Sequence, residues 1–174
     1  MNNGASYRIA QAEDLDQIYS YAETALKKQI PDEMELMMTV WESRFRKEAL
    51  EHYMKLGWSF IAKNSNGKIC GFFLGQPLLF FQAQTQTLWV EYILADTIEI
   101  KSELVEIAYK LSRDKHIQQV LFPEDVQNLK FEKPIPFQKI KDPIVWAKTT
   151  KGKIFLLKPD RRIFSYLKTK STIY

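Results

Sequence analysis

Residues 57–75 read GWSFIAKNSNGKICGFFLG. Trp58, Phe60 and Ala62 alternate with Ser59, Ile61 and Lys63, the period-two pattern of a strand with unlike faces. Asn64-Ser65-Asn66-Gly67 follows, and Asn-Gly signals a hairpin because both residues tolerate positive φ. Residues 68–75 then form the returning strand. Pro77 limits hydrogen bonding, so this strand bends or lies at an edge near there, and residues 78–81 continue it. Residues 82–87 read as a polar tip and residues 88–94 as a further strand. The stretch predicts an antiparallel meander.

Upstream, residues 7–10 read as a short first strand. Glu13, Asp14 and Asp16 suit a helix N-terminus, where negative charge is favoured. Leu15, Ile18, Tyr19, Ala22 and Leu26 recur at helical spacing, predicting a helix over 13–28. Asp32 is placed to cap a second helix, with Glu35 three residues on. Met34, Met37, Met38, Trp41, Phe45, Ala49, Tyr53 and Leu56 then recur every three or four residues and read as one core-facing stripe, ended by a left-handed Gly57. Downstream, Ile100, Leu104, Ile107, Ala108 and Leu111 mark a third helix ending near Lys115. Residues 117–122 form a strand closed by Pro123. Residues 124–143 show no clear period. Residues 144–147 and 154–157 read as a late hairpin, and residues 161–167 as a short basic helix docked by Ile163, Phe164 and Leu167.

The 174 residues, 45% hydrophobic and 26% charged, fit one globular domain over residues 1–174. No apolar run reaches the roughly 18 residues that span a bilayer, so no membrane span is expected. Residues 1–6 lack a leader pattern. Cys70 is the only cysteine and sits in an apolar run, which reads as a buried core thiol in a reducing, cytoplasmic compartment. The histidines, His52 and His116, both fall on predicted helices and give no metal-ligating spacing, so no metal is expected. Residues 1–128 carry 13 basic and 18 acidic side chains, whereas residues 129–174 carry 12 and 3. This basic C-terminal part reads as a solvated lysine-rich surface rather than a nucleic-acid face.

Residues 7–10 leading into Asp14, Leu15 and Ile18, then the 57–62 strand, Gly67 and the Ile69-Cys70-Gly71-Phe72 return, resemble the GNAT superfamily of N-acetyltransferases over residues 7–122; residues 123–174 diverge. The resemblance implies an α/β, α+β-like fold: a mixed, mostly antiparallel central sheet flanked by helices. It implies acetyl-CoA as donor, with the pantetheine arm beside the fourth strand at Ile93 and Leu94. A carboxylate on that strand serves as general base, here Glu91 in Trp89-Val90-Glu91-Tyr92. Lys101 and Ser102 stand at the helix start that faces the donor phosphates.

The chain departs from the family in two places. A loop of the form Q/R-x-x-G-x-G/A normally offers backbone N–H groups to the pyrophosphate. Residues 95–103, ADTIEIKSE, contain no glycine and carry Asp96, Glu99 and Glu103. The general-acid Tyr of a fourth helix is also missing, with Tyr92 and Tyr109 as formal substitutes. The expectation is a degenerate, non-catalytic member, a pseudoenzyme binding an unknown small molecule or protein. The alternative is an acyl-CoA-dependent N-acetyltransferase with an atypical donor site and an unknown amine acceptor.

Overall fold

In the computed structural model, residues 4–140 are described, apart from Ser43 and the side chains of Trp41 and Glu42. The late hairpin and the basic helix expected beyond residue 143 lie outside the described residues. The elements below belong to a unit spanning Met1–Phe137.

The strands β1 (Ser6–Ile9), β2 (Phe60–Lys63), β3 (Ile69–Phe81) and β4 (Gln84–Ala95) form an antiparallel meander. A fifth strand, β5 (Gln119–Leu121), adds to β4 in parallel, giving one sheet in the order β1-β2-β3-β4-β5. The helices are α1 (Leu15–Lys27), α2 (Glu33–Glu42), α3 (Lys47–Leu56) and α4 (Ile98–Asp114). Parallel neighbours need a long crossover, and α4 supplies it.

Neighbouring residues of one strand serve opposite faces, and this alternation builds two cores. Phe72 and Leu74 pack under α1 and α3 with Ile18, Leu50 and Tyr53. Phe73, Leu88 and Val90 pack under α4 with Leu104, Val105 and Ala108. Burying each such side chain contributes about 1.5–3 kcal/mol. Cys70 belongs to the second core, and burial raises its thiol pKa. The loop from Asn64 to Lys68 is closed by the Asn64 carboxamide, which accepts from the N–H groups of Asn66 (3.0 Å) and Lys68 (3.1 Å). Gly67 takes φ +72° there.

The helix expected over residues 32–56 is two helices. Asp32 does cap it, accepting from the Glu35 N–H at 2.8 Å, and Gly57 ends it at φ +71°. In between, Arg46 takes the extended values φ −54°, ψ 135° and begins α3 anew. The break lets Phe45 drop into the core, edge-on to Tyr92 at 4.8 Å and Phe72 at 6.5 Å. The methionine stripe is corrected with it. Met34, Met37 and Met38 are 63%, 64% and 40% exposed, and α2 instead buries Leu36 and Val40, an i, i+4 pair.

The polar tip expected over 82–87 is only Gln82 and Ala83, both at positive φ (48° and 63°), and β4 starts at Gln84. Strand β3 runs straight through Pro77. Its pairing with β2 ends at Phe73, so among the described residues no strand pairs with β3 on that side at Pro77, and a missing donor costs nothing there. His116 lies just past α4, not on it. At φ +57° it closes the helix with its N–H on the Arg113 carbonyl at 3.1 Å.

Candidate functional site

The site forms where β4 and β5 part. Their ladder holds only Thr87–Gln119, Leu88–Val120 and Trp89–Leu121. Pro123 then turns the chain into a 3-10 turn at Glu124–Asn128. From Val90 onward, among the described residues, no strand pairs with β4 on the β5 side. The outward-facing N–H and C=O groups there, apart from the Glu91 carbonyl that Arg44 occupies, are available to an extended ligand.

Glu91 stands at this opening because of a bulge. Leu74 pairs with Tyr92 and Gly75 with Val90, so Glu91 has no partner on β3. A bulge re-aims its side chain, and here it turns Glu91 toward the face that also carries Gln76 and Tyr92. The Gln76 amide donates to Glu91 Oε2 at 3.4 Å. The Arg44 Nε lies 3.8 Å from Glu91 Oε1, and Arg44 Nη1 donates to the Glu91 carbonyl at 2.7 Å. The same guanidinium sits 5.3 Å from the centre of the Tyr92 ring, a cation–π contact. Burial raises the Glu91 pKa and the Arg44 charge opposes it; the net displacement is upward. A carboxylate so displaced is a better proton acceptor than a solvated one.

The other wall is the start of α4. Thr97 caps the helix, its Oγ1 accepting from the Ile100 N–H at 3.3 Å, so one of the free amides is already satisfied from within. Lys101 is bonded to Asp125 of the 3-10 turn. Ser102 is buried on the sheet-facing side of α4. Asp96 is held back by the Tyr21 hydroxyl at 2.8 Å. The residues present do not form a pyrophosphate cradle: no glycine brings backbone close, the cation is taken by a carboxylate, and Glu99 adds negative charge.

Of the residues singled out from sequence, Glu91, Ile93 and Leu94 share one strand, with the Ile93 side chain in the α4 core and Leu94 against the α1–α3 core. By alternation from the Asp96 N–H on the Cys70 carbonyl, the Leu94 backbone faces β3 and the Ile93 backbone faces the opening. Lys101 lies on the opposite wall, paired. Sequence reading missed Arg44, Gln76 and Asp125. Arg44 was hidden inside an expected helix, and nothing local marked the other two. Two surface cavities lie elsewhere. One of about 390 Å³ is bounded by Tyr19, Lys27, Met37, Val40 and Lys47. Another of about 530 Å³ is bounded by Ser20, Tyr21 and Lys68. Neither is lined by Glu91. Among the described residues no group of three or more His, Cys, Asp or Glu is arranged to hold a metal ion, and no helix is long and apolar enough to cross a membrane.

No protein-family model matches the chain, and no curated protein matches it in sequence. Solved structures do match in shape. The ribosomal-protein-alanine N-acetyltransferase of Brucella melitensis biovar Abortus 2308 superposes at a TM-score of 0.55 with 13% identity, covering 82% of this chain and 99% of that one. The PaiA N-acetyltransferase of Thermoplasma acidophilum, solved with coenzyme A, gives 0.51 with 17% identity over 65% and 74%. The polyamine N-acetyltransferase of Drosophila melanogaster gives 0.52 with 13% identity over 67% and 74%. The fold is therefore a divergent GNAT acetyltransferase fold, with a five-stranded mixed sheet and four flanking helices among the described residues.

Proposed function

We propose that this GNAT-fold chain acts by binding a small ligand or a protein in the opening beside β4, without transferring an acetyl group. The observation that carries this reading is the start of α4. A donor pyrophosphate needs converging N–H groups and positive charge. Here Thr97 caps the helix itself, Lys101 is bonded to Asp125, and residues 95–103 hold three carboxylates and no glycine. The opening along β4 is retained, so a ligand that uses backbone groups and the Glu91–Arg44–Tyr92 cluster still has a place to sit.

A second reading, an N-acetyltransferase with an atypical acyl-CoA site acting on an amine, is favoured by the bulged Glu91 with its raised pKa. Thermal unfolding with and without millimolar acetyl-CoA, with free CoA as comparison, separates the two. A ligand specific for the folded form stabilises by RT ln(1 + [L]/Kd), about 2.7 kcal/mol at a hundredfold excess. No shift is expected. A clear shift, together with turnover of any primary amine, supports the second reading and overturns the first.

A further inference from the structure

Among the described residues, the later part of β3 is an open sheet edge with unusual contents. Its partner β2 ends its ladder at Phe60–Phe73, and the chain before β2 leaves the sheet toward α3, with the Trp58 carbonyl packed close on Gly75. Among the described residues, β3 from Gln76 to Phe81 pairs with a strand on one side only, β4. Pro77 fixes which groups face outward. It pairs with Leu88 and has no N–H, so that pair cannot be one that exchanges two hydrogen bonds with β4. By alternation the Leu79–Gln86 pair is of the same kind, and the Leu79 N–H and C=O point away from β4 to the open side.

Exposed edges ordinarily carry charges that deter pairing with another chain. Residues 77–90, PLLFFQAQTQTLWV, hold none. The edge presents apolar side chains instead: Leu79 is 68% exposed and Phe80 78%. Phe80 also takes φ +53°, an uncommon conformation for a bulky residue, so the backbone holds an aromatic ring outward at some cost.

We propose that this edge is a self-association surface, on which a second copy of the chain adds antiparallel about a two-fold axis through Leu79. Each Leu79 N–H then donates to the carbonyl of the other Leu79, an isologous arrangement that the symmetry completes by itself. The occupant is a second copy because the edge complements itself: it offers matched donors and acceptors and brings no like charges together. A nucleic acid or an anionic lipid surface finds no cation on it. The edge is short, so the dimer is weak and depends on concentration.

Sedimentation velocity on the full 174-residue chain across the micromolar range tests this. The expected result is a rise from 20.5 kDa toward twice that mass. Leu79→Lys, at a side chain already open to solvent, weakens association at least tenfold and leaves the melting temperature of the dilute protein unchanged. Leu79→Pro, which removes the outward donor, does the same. Met37→Lys, on the exposed face of α2, leaves association intact. A chain that stays monomeric throughout overturns the proposal, as does association that survives Leu79→Lys or is lost with Met37→Lys instead.

Discussion

Asp14 and Glu91 are carboxylates displaced in opposite directions, and the difference lies in their partners. Asp14 is 1% exposed, and burial alone raises its pKa. Two bonds from Arg8 at 2.7 Å, the Gln11 N–H at 3.0 Å and Lys63 at 3.1 Å outweigh that, so its pKa falls below the usual carboxylate range. A depressed carboxylate contributes stability above its unfolded pKa, about 4, and loses it as pH falls through the folded value. Asp14→Asn is therefore expected to destabilise at pH 7 by about 2 kcal/mol, below the usual cost of breaking a buried pair because Arg8 is largely solvated. Urea denaturation measures this, and the gap between variant and parent closes in acid. Glu91 carries the opposite sign. With its pKa raised by burial, it lowers stability as pH rises through the folded value. Glu91→Gln is expected to be more stable than the parent at pH 7, with the difference gone below about pH 4. A destabilised Glu91→Gln at pH 7 would mean that the Arg44 contact outweighs desolvation. Glu91 was legible through its place in a strand resembling the family's. Arg44 was not, since the two meet across 47 residues of sequence.

At the scale of elements, local rules read well where one force decides. Asp32 begins and Gly57 ends a helix as cap chemistry requires. The rules fail where two elements compete for one residue. The Met34–Leu56 period is real, yet Phe45 gains more by packing against Phe72 and Tyr92 than by extending a helix, and the methionines turn outward. The β4 bulge is likewise absent from any local pattern, because it is set by the register of β3 against β4. Gly75, which faces that bulge, supplies a test. A Cβ there lies 2.4 Å from the Trp58 carbonyl oxygen, a backbone atom that cannot swing aside. Gly75→Ala is expected to cost more than about 2 kcal/mol, in the upper part of the range for overpacking, and to disturb Glu91 through the shifted register. Calorimetry gives the first effect, and a change in the Glu91 titration, followed by carboxyl NMR, gives the second. A variant with unchanged stability would show that β2 and β3 can separate here at little cost.

For the whole molecule, the decisive feature is where charge collects. The fold places the end of β4, the start of α4 and the turn after β5 together, and this chain fills that place with Asp96, Glu99 and Asp125 against Lys101. The missing glycines were visible in the sequence. Asp125 was not, because it reaches Lys101 only after the crossover through α4 brings β5 beside β4. On the proposed reading, two features oppose a phosphate ligand: a start of α4 without glycine, and a field of the wrong sign. Asp125→Asn separates them. It removes one negative charge and frees the Lys101 ammonium, while the backbone of residues 95–103 stays as it is. At low ionic strength, where exposed charges act over a longer distance, the variant is expected to gain a small thermal shift with free CoA that the parent lacks, and to lose it in 0.5 M salt, where the Debye length falls below about 5 Å. A shift of that kind assigns the barrier chiefly to charge. If Asp125→Asn behaves as the parent even at low salt, the Lys101–Asp125 pair is not the barrier, and what remains to exclude the pyrophosphate is the glycine-free backbone together with the Asp96 and Glu99 carboxylates.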